Sequence, residues 1–215
     1  QEGSIDFSIP VRGLNEAKLI SSFETGAYAQ FALGDKPEDL SPENDANRSN
    51  QLTLKINSDM SLEESVRYFD ADNIAVGTGP LPPQVGQATT VKVYWKVTNS
   101  LHEAGDVKVT TNLPANVAWD GKELSTAGAL AYDPATNSVT WTIGRMPLNV
   151  TQLSAEFSIS VQPRASDRNK LMVLVSGTSL AATDSQTSYP ISQTLKSQTT
   201  RLETDDIANT DGIVR

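Results

Sequence analysis

The 215-residue chain carries 26 Asp and Glu against 17 Lys and Arg, a formal net charge of −9, so it lacks the clustered basic surface that phosphate backbones demand and no nucleic-acid partner is expected. Cysteine is absent, which excludes disulfides, thiolate metal sites, cysteine nucleophiles and iron–sulfur centres while leaving the redox compartment open. No apolar run reaches the roughly 18 residues of a membrane-spanning helix, and the first residues are polar, so neither direct membrane insertion nor a signal peptide is expected.

The acids are unevenly spread. Residues 1–74 hold fourteen acids and six bases, whereas 75–215 hold twelve and eleven. Two units with different surfaces follow from that asymmetry. Residues 34–50 form a long acidic loop without apolar periodicity. Residues 60–69 could form one or two helical turns, with Ser61 and Glu64 imitating a capping box. Residues 77–86 mix flexible glycines with stiff prolines and mark a domain junction.

Strand patterns dominate the rest. In 89–99, Val91, Val93, Trp95 and Val97 share one face at period two while Lys92, Tyr94 and Lys96 share the other. In 106–113, Val107, Val109, Thr111 and Leu113 alternate until Pro114 removes a ladder donor. Val117 and Trp119 form a short return. Tyr132-Asp133-Pro134-Ala135-Thr136-Asn137 supplies turn chemistry ahead of alternating Val139, Trp141 and Ile143, which reads as a hairpin. Leu153, Ala155, Phe157, Ile159 and Val161 alternate over 152–162. The stretch 170–184 opens continuously at Leu171-Met172-Val173-Leu174-Val175, as a buried strand would, and Thr-rich 189–202 closes the series. Strands of this number and spacing predict an all-β, two-sheet sandwich.

An internal repeat qualifies that reading. Phe7-Ser8-Ile9-Pro10-Val11 parallels Phe157-Ser158-Ile159-Ser160-Val161, and Lys18-Leu19-Ile20 parallels Lys170-Leu171-Met172. The stretch from Thr25 to Ala29 is compatible with Thr178 to Ala182, and Gln51-Leu52-Thr53-Leu54-Lys55 resembles Gln193-Thr194-Leu195-Lys196. The expected organisation is a partial repeat in 1–76, the second half of a unit; a junction at 77–86; one complete sandwich over 79–203; and an acidic C-terminal segment, 204–215. Half a sandwich leaves an unpaired edge, which upstream residues or strands from another subunit would complete.

The chain from Leu81 onward resembles the conserved-repeat, immunoglobulin-like domains that occur in tandem in secreted or cell-surface proteins of bacteria and archaea. The resemblance rests on Leu81-Pro82-Pro83 with Val85-Gly86, on Trp95 with Val97 and Asn99, and on Leu113-Pro114 with Val117, Trp119 and Gly121. Tyr132-Asp133, Val139 with Trp141 and Ile143-Gly144, alternating Phe157 to Pro163, and Asp211-Gly212-Ile213-Val214 complete it. It implies an extracellular or cell-surface stalk built of neighbouring repeats of one polypeptide, with no catalytic residues to carry over.

Chemistry-bearing residues are sparse. His102, the only histidine, sits in Asn99-Ser100-Leu101-His102-Glu103 with no nucleophile or orienting acid in sight and reads as a surface-loop residue. Ser176-Gly177-Thr178-Ser179 is no nucleophile elbow, and Gly77-Thr78-Gly79 is no phosphate loop. Asp70, Asp72 and Asn73 at the junction could offer oxygen ligands to calcium, although neither they nor Asp35, Glu38, Asp39 and Asp45, nor Glu203, Asp205, Asp206 and Asp211, have the spacing of a twelve-residue calcium loop. The sequons at Asn47 and Asn149 lie in predicted loops. No catalysis and no cofactor other than calcium are expected. Two functions compete: a structural spacer in a surface or fibrous protein, and an adhesion or carbohydrate-binding module that would stack a glycan on Trp119, Trp141, Tyr132 or Tyr94.

Overall fold

The computed structural model describes residues 24–27 and 52–215. Two short strands, β1 (Glu24–Ala27) and β2 (Leu52–Lys55), pair antiparallel with each other. The remaining strands build two antiparallel sheets over one hydrophobic core, an arrangement consistent with an immunoglobulin-like sandwich. The first sheet holds β3 (Met60–Arg67), β4 (Thr89–Asn99), β6 (Val117–Ser125) and β9 (Gln152–Val161) in the order β3-β4-β9-β6. The second runs β12-β11-β5-β8-β7, from β5 (Ala104–Asn112), β7 (Ala129–Asp133), β8 (Ser138–Met146), β11 (Ser179–Asp184) and β12 (Pro190–Thr194). A small ladder joins β10 (Val173–Val175) to β13 (Gln198–Thr199).

The alternation read from the sequence is the packing observed. Val91, Val93, Trp95 and Val97 of β4 are buried with Phe157 and Ile159 of β9, facing Val107 and Val109 of β5, Trp141 of β8 and Leu180 of β11. Burial of each of these side chains contributes about 1.5–3 kcal/mol, which is what holds two sheets together without a disulfide.

Several expectations are corrected. Residues 60–69 form no helix: β3 pairs with β4 along eight residues, from Met60↔Asn99 to Arg67↔Lys92. Its inward row is Met60, Leu62, Glu64 and Val66, and the carboxylate in that row hides the period-two signal. The sheet therefore begins well before residue 79. The Gly- and Pro-containing segment 77–86 is packed against later parts of the chain: Val85 N–H donates to Arg215 O and Gly86 N–H to Pro163 O. A Cβ on Gly77 would lie 2.4 Å from Thr90 O, so only glycine fits there. The acidic C-terminal segment 204–215 packs on the body, with Asp205, Ala208 and Val214 buried. The run from Leu171 is not one buried strand. Leu171 and Val173 are exposed, and Gly177 separates β10 from β11, which belong to different sheets. The acidic loop 34–50 and the repeat correspondences at residues 7–11 and 18–20 lie outside the described residues.

Strand direction gives the domain two poles. The upper pole holds Ser58, Asn99, His102 and Asp184, with Met60 opposite Asn99. The lower pole holds Thr89 opposite Val161, Gly86 on Pro163, and Arg215, whose N–H donates to Pro83 O. Eleven-residue β4 spans the two, roughly 33 Å at about 3.3 Å per residue.

Candidate functional site

Polar chemistry inside the sandwich is concentrated on three carboxylates. At the upper pole, fully buried Asp184 ends β11. Its Oδ2 accepts Ser58 N–H at 2.7 Å and lies 2.7 Å from His102 Nδ1, and its Oδ1 accepts the N–H groups of Gln186 and Thr187. A carboxylate only accepts, so Nδ1 carries the imidazole proton. Ser58 Oγ accepts His102 N–H at 2.6 Å, and Asn99 Nδ2 donates to His102 O at 2.6 Å. Burial alone pushes the Asp184 carboxyl up, but the donors from Ser58, Thr187, His102 and Gln186 together outweigh it and hold it down at about 2.

His102 is thus a core residue, not a surface one; it is 2% exposed. Sequence spacing could not show this, because Asp184 lies 82 residues away. The pair copies the acid–imidazole half of a catalytic triad but not its working end. The Nε2 that would take a nucleophile's proton is buried and has no hydrogen-bond partner among the described residues. Ser58 Oγ is engaged with the His102 backbone.

At the lower pole, buried Asp205 uses both oxygens on main chain. Oδ2 accepts Tyr68 N–H at 2.7 Å and Phe69 N–H at 2.8 Å; Oδ1 accepts Ile207 N–H at 3.0 Å and Ala208 N–H at 2.8 Å. Burial raises this carboxyl, and the four N–H groups more than reverse it, leaving it below the usual range. Between the poles, Glu64 Oε2 accepts Trp95 Nε1–H at 2.7 Å and the Thr178 hydroxyl, while Oε1 has no partner among the described residues. Here burial prevails over the bonds from Thr178, Trp95 and Gln198, and the carboxyl is raised.

Side chains also close the outer edge of β3. The Gln193 amide mimics a neighbouring strand on Leu62, its Oε1 accepting Leu62 N–H at 2.7 Å and its Nε2 donating to Leu62 O at 3.3 Å. Thr204 Oγ1 does the same on Val66, and Asp205 continues the row at Tyr68. An added strand would have to displace all three.

The residues proposed for ligand contact are placed as follows. Trp95 and Trp141 lie between the sheets, and Trp141 Nε1–H donates to Ala127 O. Trp119 stacks on Tyr132 at 5.5 Å and 4° and on Phe157 at 5.0 Å, so its faces are occupied by protein rings rather than offered to a sugar. Of the four rings expected to stack a glycan, only Tyr94 lines the groove of about 1040 Å³ across the outer face of the first sheet, with Glu63, Lys96 and Glu156. Asp70 Oδ1 accepts Asp72 N–H and Ile74 N–H, and Asn73 takes φ +62°, so this carboxylate caps a tight turn between β3 and β4. Asp72 and Asn73 are exposed beside it. Asp211 Oδ1 accepts Ile213 N–H and Oδ2 pairs with Arg215, while Asp35, Glu38, Asp39 and Asp45 lie outside the described residues. Among the described residues no three His, Asp or Glu side chains are grouped to hold a metal ion.

No family model matches the sequence, and no curated protein matches it. Solved structures similar in shape include the major pilin subunit BcpA of Bacillus cereus, at 10% identity and TM-score 0.46 over 69% of this chain and 44% of that one. The full-length major pilin SpaD of Corynebacterium diphtheriae is similar at 11% identity and TM-score 0.44, over 65% of this chain and 34% of that one. A C-terminal fragment of the major pilin GBS80 of Streptococcus agalactiae is similar at 8% identity and TM-score 0.41, over 66% of this chain and 55% of that one. The chain thus spans less than two thirds of the length of each of these structures.

Proposed function

We propose that the chain is a non-catalytic structural spacer of a bacterial surface or fibrous protein, one of several similar units joined pole to pole outside the cell. The observation that carries this reading is that the backbone enters the sandwich at Ser58 on one pole and reaches Arg215 at the other, separated by the length of β4. Units connected this way extend instead of clustering. Asp184 and Asp205 support the same reading, because each fastens one extremity of the domain to its body.

The β1–β2 pair supports repetition. Thr25 lies opposite Leu54 and Gly26 opposite Thr53, and in the sandwich Thr178 O accepts Leu195 N–H and Ser179 lies opposite Thr194. The two hairpins share one register when Thr53 is laid on Thr194, one residue from the alignment of Gln51 with Gln193. A unit ahead of residue 58 built like the one after it accounts for that match.

Small-angle X-ray scattering of two copies of the chain fused head to tail tests the spacer. The maximum dimension should grow by about the length of an added unit; a fusion no longer than a single copy contradicts it.

A further inference from the structure

We propose that the sandwich is a shear-loaded clamp: tension between its poles is carried lengthwise by β3 sliding against β4, and the side chains on the outer edge of β3 strengthen that hold. This rests on the pole-to-pole reading for its direction of load. β3 runs from the upper pole to the lower, antiparallel to β4, and the chain ahead of it leaves at the upper pole. A pull on Ser58 against Arg215 therefore acts along the β3 axis, and ladder hydrogen bonds stand perpendicular to that axis. Sliding loads the whole register from Met60 to Arg67 at once, not one pair after another.

The edge contacts add to the same load. Gln193 holds Leu62, Thr204 holds Val66, and Asp205 holds Tyr68 and Phe69, each across more than 130 residues of sequence. Three of those four contacts come from residues 204–205, so the last segment grips the far end of β3 directly. That segment is itself folded back tightly. Gly212 has φ +66°, a Cβ there would lie 2.4 Å from Arg201 N, and Thr200 Oγ1 donates to Gly212 O at 2.6 Å. At its end, the Arg215 N–H donates to Pro83 O while its carbonyl accepts Val85 N–H. Residues 83 and 85 run alongside it, so an outward pull there is lengthwise too.

The cysteine-free sequence allows a direct test on the full chain. Handles on N57C and R215C pull pole to pole. Handles on N57C and S100C pull the adjacent upper-pole ends of β3 and β4 apart and unzip the same pair. At equal loading rate the pole-to-pole force should be at least about twofold higher. T204V, which loses the contact at the lower end of β3, should reduce the pole-to-pole force and leave unzipping unchanged. Pole-to-pole unfolding at a force no greater than unzipping, or a T204V effect equal in both pulls, would overturn the clamp. The spacer reading fails separately, if the unstretched N57C/R215C distance is short.

Discussion

The two poles are each secured by one buried aspartate, with different donors. Asp184 gathers three backbone N–H groups and an imidazole, so two side chains share the upper lock. Asp205 gathers four backbone N–H groups and no side chain, so one carboxylate carries the lower lock. A domain without disulfides can thus hold its extremities with charge-assisted bonds to main chain, provided each buried charge receives enough donors. Glu64 marks the limit. With one oxygen unpartnered, burial prevails and the carboxyl is raised instead of lowered.

The largest effect expected is from Asp205→Ala, which strands four N–H groups and should cost about 4 kcal/mol in chemical denaturation, with fast hydrogen exchange at Tyr68 and Phe69. Asp184→Ala should cost about 3 kcal/mol and release the amides of Ser58, Gln186 and Thr187 instead. The two locks are independent if the double variant loses the sum of the single losses within about 0.5 kcal/mol; a clear departure would break the two-pole description.

Acid should separate the locks from Glu64. The folded-state Asp184 carboxyl sits at about 2, below its ordinary 3.8, so its contribution of about 2 kcal/mol is fully present above the ordinary value and is lost as pH falls through about 2. Melting curves between pH 5 and 2 should show a smaller loss in Asp184→Asn than in the native chain, the remainder coming from Asp205 and the other lowered carboxyls. Glu64 has the opposite sign. A raised folded-state carboxyl withdraws stability as pH rises through its ordinary 4.5 and beyond. Glu64→Gln should therefore stabilise the protein at pH 7, and the gain should shrink as pH falls below the ordinary 4.5 of the carboxyl, as a melting series across that range would reveal.

The sequence made the sandwich legible wherever one face of a strand is uniformly apolar, as in β4 and β9. It failed at β3, where Glu64 occupies an inward position and takes its donors from Trp95 of β4 and from Thr178 in the link between β10 and β11. The locks were illegible for a related reason. Asp184 at the end of β11, Gln193 on the edge strand β12, and Thr204 and Asp205 beyond the last strand all act on residues far away in sequence, so spacing along the chain reveals no partner for them. The same holds for His102, whose loop surroundings say nothing of Asp184. Asp70 stood out in the sequence as an oxygen donor for calcium, and in the fold its Oδ1 accepts the N–H groups of Asp72 and Ile74.

One sandwich over about residues 57 to 215, with Ser58 and Arg215 held at opposite poles, fixes the separation that spin labels on N57C and R215C report in the full chain. Pulsed dipolar spectroscopy should give a single narrow distance of about 30 Å or more, the span of β4. A broad distribution, or one centred below about 20 Å, would contradict it.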